Sequence, residues 1–161
     1  ENGLVCLMSV KNQVSTEAYK FPREMRIIKT SDFGILVQMQ GKEVTRASTA
    51  YFSATALQRP NAEVSLRIGI TVGKKNAHRS VDRALVKRTL RETARKQAPY
   101  LIALLCDTGV GLDVSLRLKM PLSTVDGREV GVKALKQSLR QDAEKLLEKL
   151  AKRLHSSLHL E

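Results

Sequence analysis

Ten cations stand in the thirty residues from Arg67 to Lys96: Arg67, Lys74, Lys75, Arg79, Arg83, Lys87, Arg88, Arg91, Arg95 and Lys96. Only Asp82 and Glu92 oppose them, which leaves +8 of the chain's net +12 in that stretch. Charge focused in this way, rather than spread for solubility, points to a polyanion site. Other chemistries find little support. Gly69-Ile70-Thr71-Val72-Gly73-Lys74-Lys75 invites a phosphate-loop reading. That motif needs four residues between its glycines and a Ser or Thr after the Lys, whereas here there are three and Lys75. Ser, His and acidic residues show no triad or paired-carboxylate order, so no catalytic residue is assigned. Cys6, Cys106 and the three histidines lack metal-ligand spacing. No metal site is expected, and the cysteines read as free thiols in a reducing cytoplasm.

The cations need a strand, a turn and a helix to position them. Leu66, Ile68, Ile70 and Val72 alternate as in a strand, and a helix follows with Ser80 as N-cap and Asp82 in its first turn. Pro99 disfavours helical geometry at Ala98, so the helix is expected to end near Gln97, with a loop from Pro99 to Gly111. With Arg83 set at zero, Lys87, Arg91, Arg95 and Arg88 fall between about 40° and 140°. Val86, Leu90, Thr93 and Ala94 share the adjoining arc with Arg83. One flank packs and the next carries cations. Like charges at i, i+4 repel by a few tenths of a kcal/mol, a cost that an anion would offset. The bland alternative is a solvated basic face.

The run Gly69 to Lys75, followed by Arg83, Lys87, Arg88, Arg91 and Glu92, resembles the signature of the bacterial ribonuclease P protein subunit. That family has a strand ending in Lys-Lys, a short turn, then a helix reading Arg-Asn-Arg-x-x-Lys-Arg or a close variant before Arg-Glu. Two positions depart from it: Ala84 stands where the family usually has Asn, and Leu85 where it usually has Arg. Phe21-Pro22-Arg23-Glu24 resembles the family's opening segment, and Asp32-Phe33 its Asp-Phe pair. Val37 replaces a second aromatic. The resemblance implies an RNA-binding role for Arg67, Lys74, Lys75, Arg79, Arg83, Lys87, Arg88 and Arg91. It implies a cleft for the single-stranded leader at Phe21, Phe33 and Tyr51, where bases would stack on aromatic faces.

Around this segment, 42% apolar and only 4% aromatic residues call for an aliphatic core. Residues 1–20 read as an N-terminal extension, with Met8 near a natural start. Residues 21–155 read as the RNA-binding domain including a C-terminal helix, and 156–161 as a frayed tail, partly an engineered remnant. Thr30, Ser31 or Asp32 caps a short helix with Phe33, Leu36 and Val37 at helical spacing and Gly41 beyond it. Strands are expected at Glu43 to Arg46 and Ala50 to Leu57, with a turn from Gln58 to Glu63. A last strand runs from Asp113 to Met120, with Val114, Leu116, Leu118 and Met120 inward. Asp126 and Glu129 have capping-box spacing before a helix to about His155. That helix carries Leu135, Leu139, Leu146 and Leu150 on one side, and interleaved charges make its outer face solvated. No apolar run is long enough for a signal peptide or membrane span.

The order is helix, three strands, helix, strand, helix: an α/β (α+β) sandwich with about four strands. The resemblance adds a β-α-β crossover of left-handed sense, against the usual right-handed rule. It also implies the function. Such a protein binds a catalytic RNA subunit and the 5′ leader of precursor tRNA, in the cytoplasm. The chemistry and most of the Mg²⁺ belong to the RNA, so the protein alone is expected to be inactive. Three other readings use the same cations. One is a ribosomal or ribosome-assembly protein that binds structured RNA. Another is a DNA-binding regulator, against which Ala84, Leu85 and Val86 argue because they offer no base-edge contacts. The third is a protein-only nuclease. Sequence leaves the oligomeric state open.

Overall fold

The structure, a computed structural model, describes residues 26–27, 34–36, 38–59, 65–122 and 132–159. Its elements in chain order are β1 (Val44–Ser48), β2 (Phe52–Arg59), β3 (Leu66–Thr71), α1 (Ser80–Thr108), β4 (Gly111–Leu118) and α2 (Val132–His159). Residues 34–36 and 38 are also helical. The four strands form one mixed sheet in the order β1-β2-β4-β3. β2 runs antiparallel to β1 and β4, while β3 and β4 are parallel, joined through α1.

Alternation explains how the sheet covers its core. Phe52, Ala54 and Ala56 of β2 are buried and stand opposite Leu118, Leu116 and Val114 of β4. Leu66 and Ile68 of β3 continue that face. Val86, Leu90, Ala94 and Ala98 of α1 pack in the same cluster, as do Leu139, Ala143, Leu146, Leu147, Leu150 and Leu154 of α2. Phe52 is the one aromatic fully buried there among the described residues, as the composition requires. A smaller cluster joins Ile27, Leu36 and Leu57. Beside it the chain bridges Arg26 to Ile68 in parallel, and Ile27 N–H donates to the Ile68 carbonyl at 3.1 Å, covering the outer edge of β3.

Several expected boundaries move. α1 does not stop near Gln97 but runs through Pro99 to Thr108, so most of the expected loop is helix. Pro99 costs about 3 kcal/mol in a helix interior. Leu101, Leu104 and Leu105 lie beyond it at helical spacing and are buried. Each contributes about 1.5–3 kcal/mol, so packing outweighs the proline. The true stop is Gly109, at φ 69°, whose N–H donates to the Leu105 carbonyl at 2.8 Å. At the other end Arg79, not Ser80, is the N-cap, and it makes no side-chain cap hydrogen bond. β4 begins at Gly111 because its antiparallel pairing with β2 starts there, opposite Arg59, and Met120 is half-exposed beyond its end. Gln58 and Arg59, expected in a turn, belong to β2. α2 continues to His159 because Leu158 extends the apolar stripe from Leu154 onto the core. Cys106 is disulfide-bonded, which corrects the free-thiol expectation. Linear spacing cannot reveal such a bond, which depends on Cα separation in space. The expected Asp126 and Glu129 cap and the extension at 1–20 lie outside the described residues.

Candidate nucleic-acid interface

The helical period and the core burial of Val86, Leu90 and Ala94 turn the opposite side of α1 outward. Lys87, Arg88 and Arg91 are exposed there, and Lys74 and Lys75 are exposed in the turn before the helix. Among the described residues none of these five makes a hydrogen bond or ion pair. Arg95, on the same side, is half-buried and donates to Glu92 at 2.6 Å. The free cations repel one another across successive turns, so their arrangement suits an anion from outside.

Three of the expected contact residues are differently engaged. Arg83 folds back, and its Nη1 donates to the carbonyls of Ala77 and His78 at 3.0 and 2.7 Å. It fastens the turn to the helix start. Arg79 makes a paired contact with Asp82 at 2.8 and 3.1 Å. That hydrogen bond, and then the carboxylate's charge, raise the Arg79 pKa above its ordinary value. Arg67 lies on β3, where Nε and Nη2 donate to Asp113 at 2.9 and 2.7 Å. Asp113 is buried and also accepts from Arg59 at 3.1 Å. Arg67 therefore neutralises a buried carboxylate within the sheet, apart from the helical row.

Of the expected leader cleft, Phe21 and Phe33 lie outside the described residues. Tyr51 is half-buried against the core, its ring centroid 6.4 Å from that of Phe52. Its N–H donates to Asp142 of α2 at 3.0 Å, and Thr49 Oγ1 donates to the same oxygen at 2.7 Å. This contact ties the β1–β2 turn to α2.

The two departures from the family pattern have separate physical consequences. Leu85 packs against the core cluster, so its side chain faces inward. Ala84 is exposed, one turn before Arg88 on the outward side.

Sequence reasoning missed a second cationic region. Arg46, Ser53, Thr55, Ser115 and Arg117 line a recess of about 410 Å³ together with Lys149 and Arg153 of α2. The register that assembles it sets Arg46 opposite Thr55 and Ser53 opposite Arg117. Lys149 donates to the Ser48 carbonyl at 3.1 Å, and Arg153 donates to the Arg46 carbonyl. Those bonds blunt the free edge of β1. The only sequence signal was an Arg flanked by small polar residues at outward strand positions, which means nothing until the strands are paired. Among the described residues no group of three His, Cys, Asp or Glu side chains could hold a metal ion. No described helix is long and apolar enough to cross a membrane.

These features describe a small mixed-sheet domain whose crossover helix carries a row of exposed cations, unpaired among the described residues. A family model described as Ribonuclease P matches residues 21–155, and the chain belongs to that family. The ribonuclease P protein component of Chromobacterium violaceum is 38% identical over 78 residues, covering 48% of this chain and 60% of that protein. The ribonuclease P protein component of Ralstonia pickettii is 29% identical over 128 residues, 80% of each chain. The Staphylococcus aureus RNase P protein shares the fold at a TM-score of 0.55 and 19% identity, over 81% of this chain and 97% of the other.

Proposed function

We propose that this protein binds the catalytic RNA of a ribonuclease P and assists removal of the 5′ leader from precursor tRNA. The observation that carries the reading is the row of exposed, unpaired cations at Lys74, Lys75, Lys87, Arg88 and Arg91. Such a row is costly to keep in isolation and gains when phosphates replace the counterions around it. Arg79, Arg83 and Arg67 serve this surface by holding the turn, the helix start and the sheet in place. The cationic recess at Arg46 and Arg117 supplies a second surface, suited to the backbone of a single strand.

The protein supplies charge and position in this scheme. Bond breaking and Mg²⁺ belong mainly to the RNA, and the place of action is the cytoplasm. The test is precursor-tRNA cleavage at low Mg²⁺ by a bacterial ribonuclease P RNA, with and without this protein. Stimulation of the RNA, with no cleavage by protein alone, is the expected result. Cleavage by RNA-free protein, or a wild-type protein that leaves the RNA unaided, would overturn the reading.

A further inference from the structure

A groove of about 310 Å³ runs between α1 and α2. Arg88 and Lys96 reach it from α1, Lys136 and Arg140 from α2, and Leu85 lies beneath them. Among the described residues Glu92 is the one acid lining it, and its carboxylate is already bonded to Arg95 at 2.6 Å. Among the described residues Arg88, Lys96 and Lys136 have no hydrogen bond or ion pair. Arg140 lies 3.6 Å from Glu144, with both side chains largely exposed, a pairing that holds little and yields easily to a stronger anion.

We propose that this groove is a backbone-phosphate site in which Lys136 and Arg140 of α2 extend the RNA surface of α1. The inference rests on the RNA-binding reading above and enlarges it from one helix to two. Charge complementarity commits the groove to a polyanion. Continuity with the α1 row commits it to the same RNA. On the helical wheel Lys87 lies at about 40°, Arg88 at about 140° and Lys96 at about 220°, so Arg88 belongs to both surfaces. The two helices are fixed against each other by buried leucines, including Leu90 and Leu139. The four cations are therefore held on rigid elements before any ligand arrives, which lowers the ordering cost of binding. Lys136 and Arg140 escape notice in the sequence because nothing in its order shows α2 lying beside α1.

The experiment compares two charge-matched variants of the full chain with the wild type. Lys136→Ala with Arg140→Ala empties the groove. Lys145→Ala with Lys152→Ala removes two exposed cations from the opposite side of the same helix. Affinity for a bacterial ribonuclease P RNA is measured across salt concentrations, beside stimulation of cleavage and the thermal midpoint. The groove variant should lower the log–log salt slope by about 1.4–1.8, the loss of two phosphate contacts, and the control by less than about half as much. The groove variant's midpoint should hold or rise, because like charges have been removed. Stimulation by wild type, with an unchanged slope in the groove variant or equal slopes in both variants, overturns the groove and leaves the functional reading standing. RNA binding without stimulation, with the slope still lowered only in the groove variant, overturns the functional reading and leaves the groove. Wild type that shows no salt-dependent RNA binding overturns both.

Discussion

Arg88 and Arg67 carry the same guanidinium and have opposite assignments. Arg88 stands exposed on α1 with no bonded partner among the described residues, in a row of like charges. Arg67 lies within the sheet, bonded through two nitrogens to the buried Asp113, which Arg59 also reaches. The difference is one of context. A buried carboxylate must be paired, so it engages the nearest arginines in ion pairs within the sheet. An outward helical face has no such demand, and its cations stay available.

The largest effect should come from breaking the structural side of this contrast. Asp113→Ala leaves Arg59 and Arg67 facing each other without their carboxylate. Both arginines are about a third exposed, so a loss of about 2–4 kcal/mol is expected, below or within the range for a fully buried pair. Chemical denaturation measures it, and an unchanged midpoint would mean the pair is incidental. On the functional side, Lys87→Ala with Arg91→Ala should leave that midpoint unchanged or raised. It should flatten the salt dependence of RNA binding by roughly 1.4–1.8 in log–log slope. If the slope stays at its wild-type value, the contact surface is not on α1.

Asp142→Ala probes a neutral version of the structural case, since it removes the acceptor for Thr49 and the Tyr51 N–H at the α2–sheet junction. A loss of about 1–3 kcal/mol follows from an orphaned Tyr51 N–H and a Thr49 hydroxyl left with only its 3.4 Å contact to the Phe52 carbonyl, read from thermal unfolding. The smallest effect sharpens the functional side. Ala84→Asn places an amide on the outward face beside Arg88 and should tighten RNA binding by up to about 1 kcal/mol, near the worth of one hydrogen bond. Titrations across salt and Mg²⁺ that overlay those of wild type would remove Ala84 from the interface. The equivalent change at Leu85, to Arg, should instead destabilise, because that side chain packs on the core.

Much of this molecule was legible in one dimension. Period-2 alternation marked β2, β3 and β4, and the 3.6-residue period separated the packed side of α1 from its cationic side, because burial selects side chains by the direction in which they point. The low aromatic content required the aliphatic core, and the spacing from Gly69 to Glu92 carried the family. Boundaries were less legible. Pro99 is a strong local signal, yet three buried leucines beyond it outweighed the proline, and that balance cannot be weighed without the sheet beneath them.

The fold class, the position of the basic crossover helix and the outward row at Lys87, Arg88 and Arg91 were all written in the order of residues. Each follows from periodicity along a continuous stretch of chain. Which cations are paired within the fold was settled by packing in three dimensions. Arg67 met Asp113 across 46 residues of sequence, Arg83 turned back onto its own turn, and Lys136 and Arg140 came alongside Arg88 and Lys96 from a separate helix. Pairing and charge convergence depend on distances through space, and helical or strand periodicity fixes those only within a single element.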